Sequence, residues 1–256
     1  MLVAAAICPC PPLLVPEVAS GAAPELDAAR AACRDALAVL AAARPDRLVL
    51  LGPTDAAGPG PTTWFPQGTP GSLRGFGVDV AVTLGAAPGD PDGPGDRAAE
   101  PGHGPDGAAR ELPPSLTVGA WLLERTGWRA APVAGLGVGQ SLEPERCAAA
   151  GRELSAGPER LALLVLGDGS ACRSAKAPGA FDARAASFDA EVARALGAAD
   201  TAALAALDAA PAAELRAAGR SCWQVLAGAA DGRGLAGRLL YDEAPYGVGY
   251  FVAVWS

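Results

Sequence analysis

Four groups of polar residues stand directly behind stretches of this chain that read as buried strands, and their types are those that bind metals and move protons. Cys8 and Cys10 follow the run Leu2–Ile7. Thr54 and Asp55 follow Arg47–Leu51. Asp168, Ser170 and Cys172 follow Leu161–Leu166, and Asp242 and Glu243 follow Leu235–Tyr241. In open α/β sheets ligands gather in the crevice beyond the carboxyl ends of the strands. The four groups are therefore candidates for one pocket, with Asp168, Ser170 and Cys172 on one wall and Thr54, Asp55 and Asp242 as further ligand contacts.

Each group also has a structural reading. Asp and Ser after a strand cap the next helix or tie a turn, and Cys serves as a small buried hydrophobe. Cys8-Pro-Cys10 offers two thiols to a soft metal, but no second ligand pair accompanies it. Gly135-Leu-Gly137-Val-Gly139 has the wrong spacing for a dinucleotide fingerprint and reads as a flexible turn. His103 is the only histidine and lies among Gly, Pro and Asp residues. With one imidazole in such a segment, no Ser-His-Asp or Cys-His pair and no multi-histidine metal site can be assembled.

The elements that must position these residues follow from apolar periodicity. Leu161–Leu166 is an unbroken apolar run, the pattern of a strand buried on both faces. Leu2–Cys8 reads as a first strand, ended by Pro9, Pro11 and Pro12, and Arg47–Leu51 as a second. Between them Ala22–Ala43 carries Leu26, Ala29, Cys33, Leu37 and Leu40 at helical spacing. Strand, helix, strand predicts a right-handed parallel crossover. The stretch 55–75 reads as a loop with Trp64 and Phe65 as buried anchors. Phe76–Leu84 alternates like a strand with one wetter face. Residues 86–110 are almost all Gly, Pro, Asp and Ala and read as a mobile insertion. Helices are expected over Pro113–Thr126, Pro144–Leu154, Phe181–Leu196, Thr201–Leu207 and Pro211–Gly228. Strands are expected over Trp128–Val133, and a closing pair over Leu235–Tyr241 and Val248–Val254. Alternating helices and strands make the class α/β, a central mixed, mostly parallel sheet flanked by helices. No internal boundary divides the 256 residues, so a single domain is expected.

Composition narrows the function classes. The formal net charge is −8, Lys176 is the only lysine, and no Lys/Arg cluster occurs, which argues against nucleic-acid and anionic-membrane partners. Six cysteines without a CxxC pair do not make a disulfide scaffold. No apolar run reaches the ~18 residues of a spanning helix, and Met1–Ile7 lacks the basic start of a signal peptide. A cytoplasmic protein is expected.

In order along the chain, Ile7-Cys-Pro-Cys10-Pro-Pro-Leu-Leu-Val-Pro-Glu17, Leu51-Gly-Pro-Thr54, Gly167-Asp-Gly-Ser-Ala171 and Ala244-Pro-Tyr-Gly-Val-Gly-Tyr250 resemble segments of the class III extradiol dioxygenases. These are the catalytic chains of aromatic ring-opening enzymes, in a superfamily that includes the Memo-like proteins. The nearest resemblance is to a divergent actinobacterial branch of those catalytic chains. The resemblance spans nearly the whole sequence and implies a class III extradiol dioxygenase-like fold. Active members hold Fe(II) with two histidines and a carboxylate and use another histidine as acid/base. By motif, the metal histidines fall on Cys10 and Thr54 and the acid/base histidine on Ala171. The carboxylate falls on Glu243, with Asp242 beside it. The resemblance therefore carries the scaffold across without its imidazoles.

Three functions follow as expectations. The first is a divergent family member that has lost the iron site, a pseudoenzyme that binds a small molecule and needs no cofactor. The second is an altered metalloenzyme, an oxidoreductase on Fe(II) or Zn²⁺ with Cys10 and Glu243 as ligands in a rearranged site of Cys10, Asp55, Asp168, Cys172 and Glu243. The third is an interaction role, as a homodimer or beside a separate partner chain. Conventional ring cleavage ranks below the first two, because a thiol and a hydroxyl replace two imidazoles and Ala171 cannot carry a proton.

Overall fold

Alternate residues of the apolar runs face two different cores, and this makes the chain a two-sided sheet with helices on each side. The computed structural model describes residues 1–55, 62–85 and 110–256. In chain order the elements are β1 (Leu2–Cys8), α1 (Pro16–Ala19), α2 (Asp27–Ala42), β2 (Arg47–Thr54), β3 (Thr62–Phe65), β4 (Pro70–Ser72) and β5 (Ala81–Thr83). There follow α3 (Pro114–Thr126), β6 (Val133–Gly139), α4 (Pro144–Leu154), β7 (Leu161–Leu166) and α5 (Arg184–Ala198). The last are α6 (Thr201–Ala205), α7 (Ala209–Glu214), α8 (Arg220–Ala230), β8 (Gly237–Glu243) and β9 (Tyr250–Trp255).

Seven strands form one sheet in the order β3-β6-β2-β7-β1-β9-β8. The central four, β6, β2, β7 and β1, are parallel, while β3, β9 and β8 pair antiparallel with their neighbours. The class is α/β with a mixed sheet, as the alternation of elements predicts. Cys8, Leu50, Leu164, Leu166 and Val252 face a core shared with α2 and α3. Ile7, Leu51, Val165, Phe251 and Trp255 face the opposite core, built with α4, α5, α6 and α8. Among the described residues no helix is long and apolar enough to cross a membrane.

Several elements differ from the sequence expectation. Gly135–Gly139 is not a turn but the body of β6, and the expected strand Trp128–Val133 lies almost wholly before it. Its glycines answer crowding: a Cβ on Gly137 would stand 2.7 Å from Thr54 Cγ2, and one on Gly135 would stand 3.1 Å from Leu116 Cδ1. Trp64 and Phe65 belong to the edge strand β3, with Phe65 buried and Trp64 exposed. The alternating run from Phe76 shrinks to β5, because a 3-10 turn over Arg74–Phe76 ends at Gly77 in the left-handed region. The helix expected from Ala22 starts at Asp27, behind a 3-10 segment holding Pro24. That expected over Pro211–Gly228 is two helices, with Arg216 at φ 54° between them. The expected insertion 86–110, with His103, lies outside the described residues except for Arg110.

Candidate active-site crevice

Parallel pairing of β1 with β7 brings two strand ends 158 residues apart together. The Gly167 N–H donates to the Cys8 carbonyl at 3.1 Å, and the Cys10 N–H donates to Asp168 Oδ1 at 2.8 Å. Asp168 is half-buried at this edge. Its own carbonyl accepts from Gly219 N–H at the start of α8, at 2.9 Å. Gly167 permits this fit, since a Cβ there would run into Gly219 Cα. The carboxylate position is thus fixed through backbone on two sides.

Burial sets the chemistry of the group. Desolvation disfavours the ionised carboxyl and pushes Asp168 up to about 7, against the pull of the Cys10 N–H. The Cys10 thiol is raised well above its ordinary range by burial, then by the Asp168 charge and Cys222. Tyr250 is raised by burial and by the Asp168 charge. A carboxyl raised to about 7 therefore lies within electrostatic reach of a thiol and a phenol that are both raised toward the protonated form. Such a carboxyl can donate or accept a hydrogen bond within the physiological range.

Beside this group Leu26, Val248 and Tyr250 form a small cluster, with Leu13, Ala171, Tyr241 and Tyr246 packed against it. All three tyrosines of the chain are here. Ala171 is held by its N–H to the Leu215 carbonyl at 2.9 Å.

The other sequence candidates have different surroundings. Ser170 is fully buried. Its N–H and hydroxyl both donate to Asp189, at 2.8 Å each, which ties the loop after β7 to α5. Cys172 is buried in a separate cluster with Ala185 and Leu215, and Gly179 leaves room for its sulfur. Thr54 ends β2 half-buried, and its carbonyl accepts from Gln140 N–H at 3.2 Å. Asp55 is exposed and accepts from Gln140 Nε2 at 2.7 Å. Asp242 and Glu243 are exposed on the edge strand β8, opposite Phe251 and Tyr250. The Asp242 carboxyl is raised by partial burial, against the nearby Arg173. The structure therefore joins Cys10, Asp168 and, by packing, Ala171. It leaves Ser170 and Cys172 in the interior and Asp55 and Glu243 at the surface.

Two residues with clear roles were absent from the sequence candidates. Asp189 is fully buried and accepts from Ser170 and from Arg173 NH1 at 3.3 Å. Gly249 lets the backbone pass against it, since a Cβ there would stand 2.5 Å from Asp189 Oδ2. The signal for Asp189 was its register: it shares a helical stripe with Ala185, Val192 and Leu196. A carboxylate on an apolar stripe needs partners inside the fold. Tyr250 stood in a quoted motif, and only the tertiary packing gives it its neighbour.

The residues that the sequence resemblance places at metal positions do not fit an Fe(II) centre of the extradiol type. Ala171 has no donor atom, and Thr54 and Cys10 put a neutral hydroxyl and a thiol where that centre has two imidazoles. Glu243 lies on a strand separated from β1 by β9, about 10 Å away at ordinary strand spacing. Among the described residues no group of three or more His, Cys, Asp or Glu is arranged to hold a metal ion. A surface depression of about 170 Å³ lined by Gly85, Leu123, Glu124, Gly127, Trp128 and Arg129 includes none of the crevice residues.

No family model and no curated protein matches this chain. Its fold is similar to the crystal structure of the uncharacterized protein JW3007 from Escherichia coli K12, with a TM-score of 0.53 and 14% sequence identity over 99% of each chain.

Proposed function

We propose that this chain is a divergent relative of the class III extradiol dioxygenases that has given up the iron centre and kept the strand-end crevice for a small organic molecule. One observation carries the reading. At the end of the central strand the Cys10 N–H fixes the Asp168 carboxyl at 2.8 Å, and burial pushes that carboxyl up to about 7. A ligand that offers both a donor and an acceptor finds its complement there, and the carboxyl adopts whichever state the ligand needs.

Untagged protein is titrated with Fe(II) under nitrogen, then exposed to air with catechol and protocatechuate in an oxygen electrode. The same two compounds are titrated in EDTA while backbone amide NMR shifts are followed. Expected are no stoichiometric iron, no oxygen uptake, and shifts that cluster at Cys10, Asp168 and Tyr250 and vanish in Asp168→Asn. One tightly bound iron per chain with ring cleavage would overturn the reading. So would the absence of any saturable shift at the three residues.

A further inference from the structure

All six cysteines are buried free thiols, and the crevice engages only Cys10. Two others meet where β1 lies against α2. The core on that side takes Ala4, Ala6 and Cys8 from β1 and Ala29, Ala32, Cys33 and Ala36 from α2. Side chains this small let a strand and a helix approach closely. Within this mostly alanine face the two sulfurs touch. The Cys8 and Cys33 thiols are hydrogen-bonded to each other, and both residues are 0% exposed.

A single cysteine among alanines is a small hydrophobe and needs no further account. Two in contact are different. Packing has already brought sulfur to sulfur and fixed both side chains, so the entropy cost of joining them is met by the fold. A disulfide here would also fasten β1 to α2 at the residue whose carbonyl holds the Gly167 N–H.

We propose that Cys8 and Cys33 are a redox pair that closes to a disulfide when the protein meets a small peroxide. The Cys33 sulfur attacks one peroxide oxygen. An S–O bond forms, the O–O bond breaks, and the released hydroxide leaves as water with the thiol proton. The Cys8 sulfur then attacks the Cys33 sulfur. An S–S bond forms, the S–O bond breaks, and the hydroxyl leaves as a second water with the Cys8 proton. The electron pair lost by the two sulfurs is the one the peroxide gains. The Cys33 contact and burial both raise the Cys8 thiol, which suits the sulfur that keeps its proton until the second step. Hydrogen peroxide is neutral and little larger than water, so local opening admits it where glutathione is shut out. This pair is independent of the Asp168 reading and stands or falls separately.

Folded, reduced protein is treated with hydrogen peroxide, alkylated in urea and mapped by mass spectrometry. Expected is a peptide joining Cys8 to Cys33, lighter than the dithiol by the two thiol hydrogens. Cys33→Ala, which matches the alanines beside it, should fold and lose this peptide. The protein is then refolded across a series of glutathione ratios, and the same series is run in urea. The Cys8–Cys33 disulfide should form with an equilibrium constant about tenfold or more larger in the folded chain. By linkage, the oxidised protein should have the higher urea midpoint. Absence of the joined peptide from the folded protein overturns the proposal, and so do equal equilibrium constants with and without urea.

Discussion

Replacing Asp168 by Asn tests the central electrostatic claim without reference to any ligand. The folded-state value of about 7 lies above the ordinary 3.8, so between these values the native protein binds a proton that the unfolded chain releases. The stabilisation is complete below pH 4 and is lost as pH rises through 7. The whole effect is about 4 kcal/mol, and about 2.5 kcal/mol of it falls between pH 5 and pH 8. Partial exposure at the crevice edge reduces both figures. Asn keeps an oxygen for the Cys10 N–H and cannot ionise. Urea midpoints at pH 5, 6, 7 and 8 should therefore show a stability loss in the wild type that is about 2 kcal/mol smaller in Asp168→Asn. The variant should be the more stable protein at pH 8. Infrared difference spectra should place a protonated carboxyl band in the wild type at pH 6 that the variant lacks. Parallel pH dependences in the two proteins would refute the burial argument.

Three further outcomes test the frame around the crevice. Ser20 adopts φ 51°, ψ −122° on an exposed turn, so Ser20→Gly should stabilise the protein by about 1 kcal/mol in urea titrations. Asp189→Ala leaves both Ser170 donors unpaired in the interior and should cost about 3 kcal/mol, with faster hydrogen exchange confined to residues 167–174. Gly151 packs α4 onto α8, where a Cβ would meet the Val225 carbonyl and stand 2.7 Å from Ala229 N. Gly151→Ala should cost about 3 kcal/mol in thermal unfolding.

The sheet was legible where one physical signal dominated. Leu2–Cys8 and Leu161–Leu166 are apolar without interruption, and burial on both faces is the only way to use such runs. The end of the second run was legible for the same reason: β7 stops at Leu166, and Asp168 just beyond it meets the Cys10 N–H. Glycine misled where its absent side chain answers a neighbour far along the chain. Nothing local to Gly135 and Gly137 announces Leu116 or Thr54, so β6 read as a turn. Phe76, Val78, Val80 and Val82 alternate as a strand does, yet Gly75 and Gly77 bend the backbone before pairing begins. Cys172 and Ser170 were read as crevice groups because they follow Asp168. The chain turns inward after Gly169, and Asp189, seen only in three dimensions, takes the serine.

The character of the crevice turns on how its charges are offset. Asp189 is buried, but two donors from Ser170 and the Arg173 guanidinium act against its desolvation. Asp168 has a single N–H for the purpose, and its own charge in turn raises Cys10 and Tyr250. All three groups are driven the same way, toward the protonated form. Ala171, packed against the cluster that contains Tyr250, has no proton to exchange, which leaves Asp168 as the group raised to about 7 at this edge. In the function proposed above, Cys10, Ala171 and the raised Asp168 belong together: the strand end presents neutral hydrogen-bonding groups to its ligand.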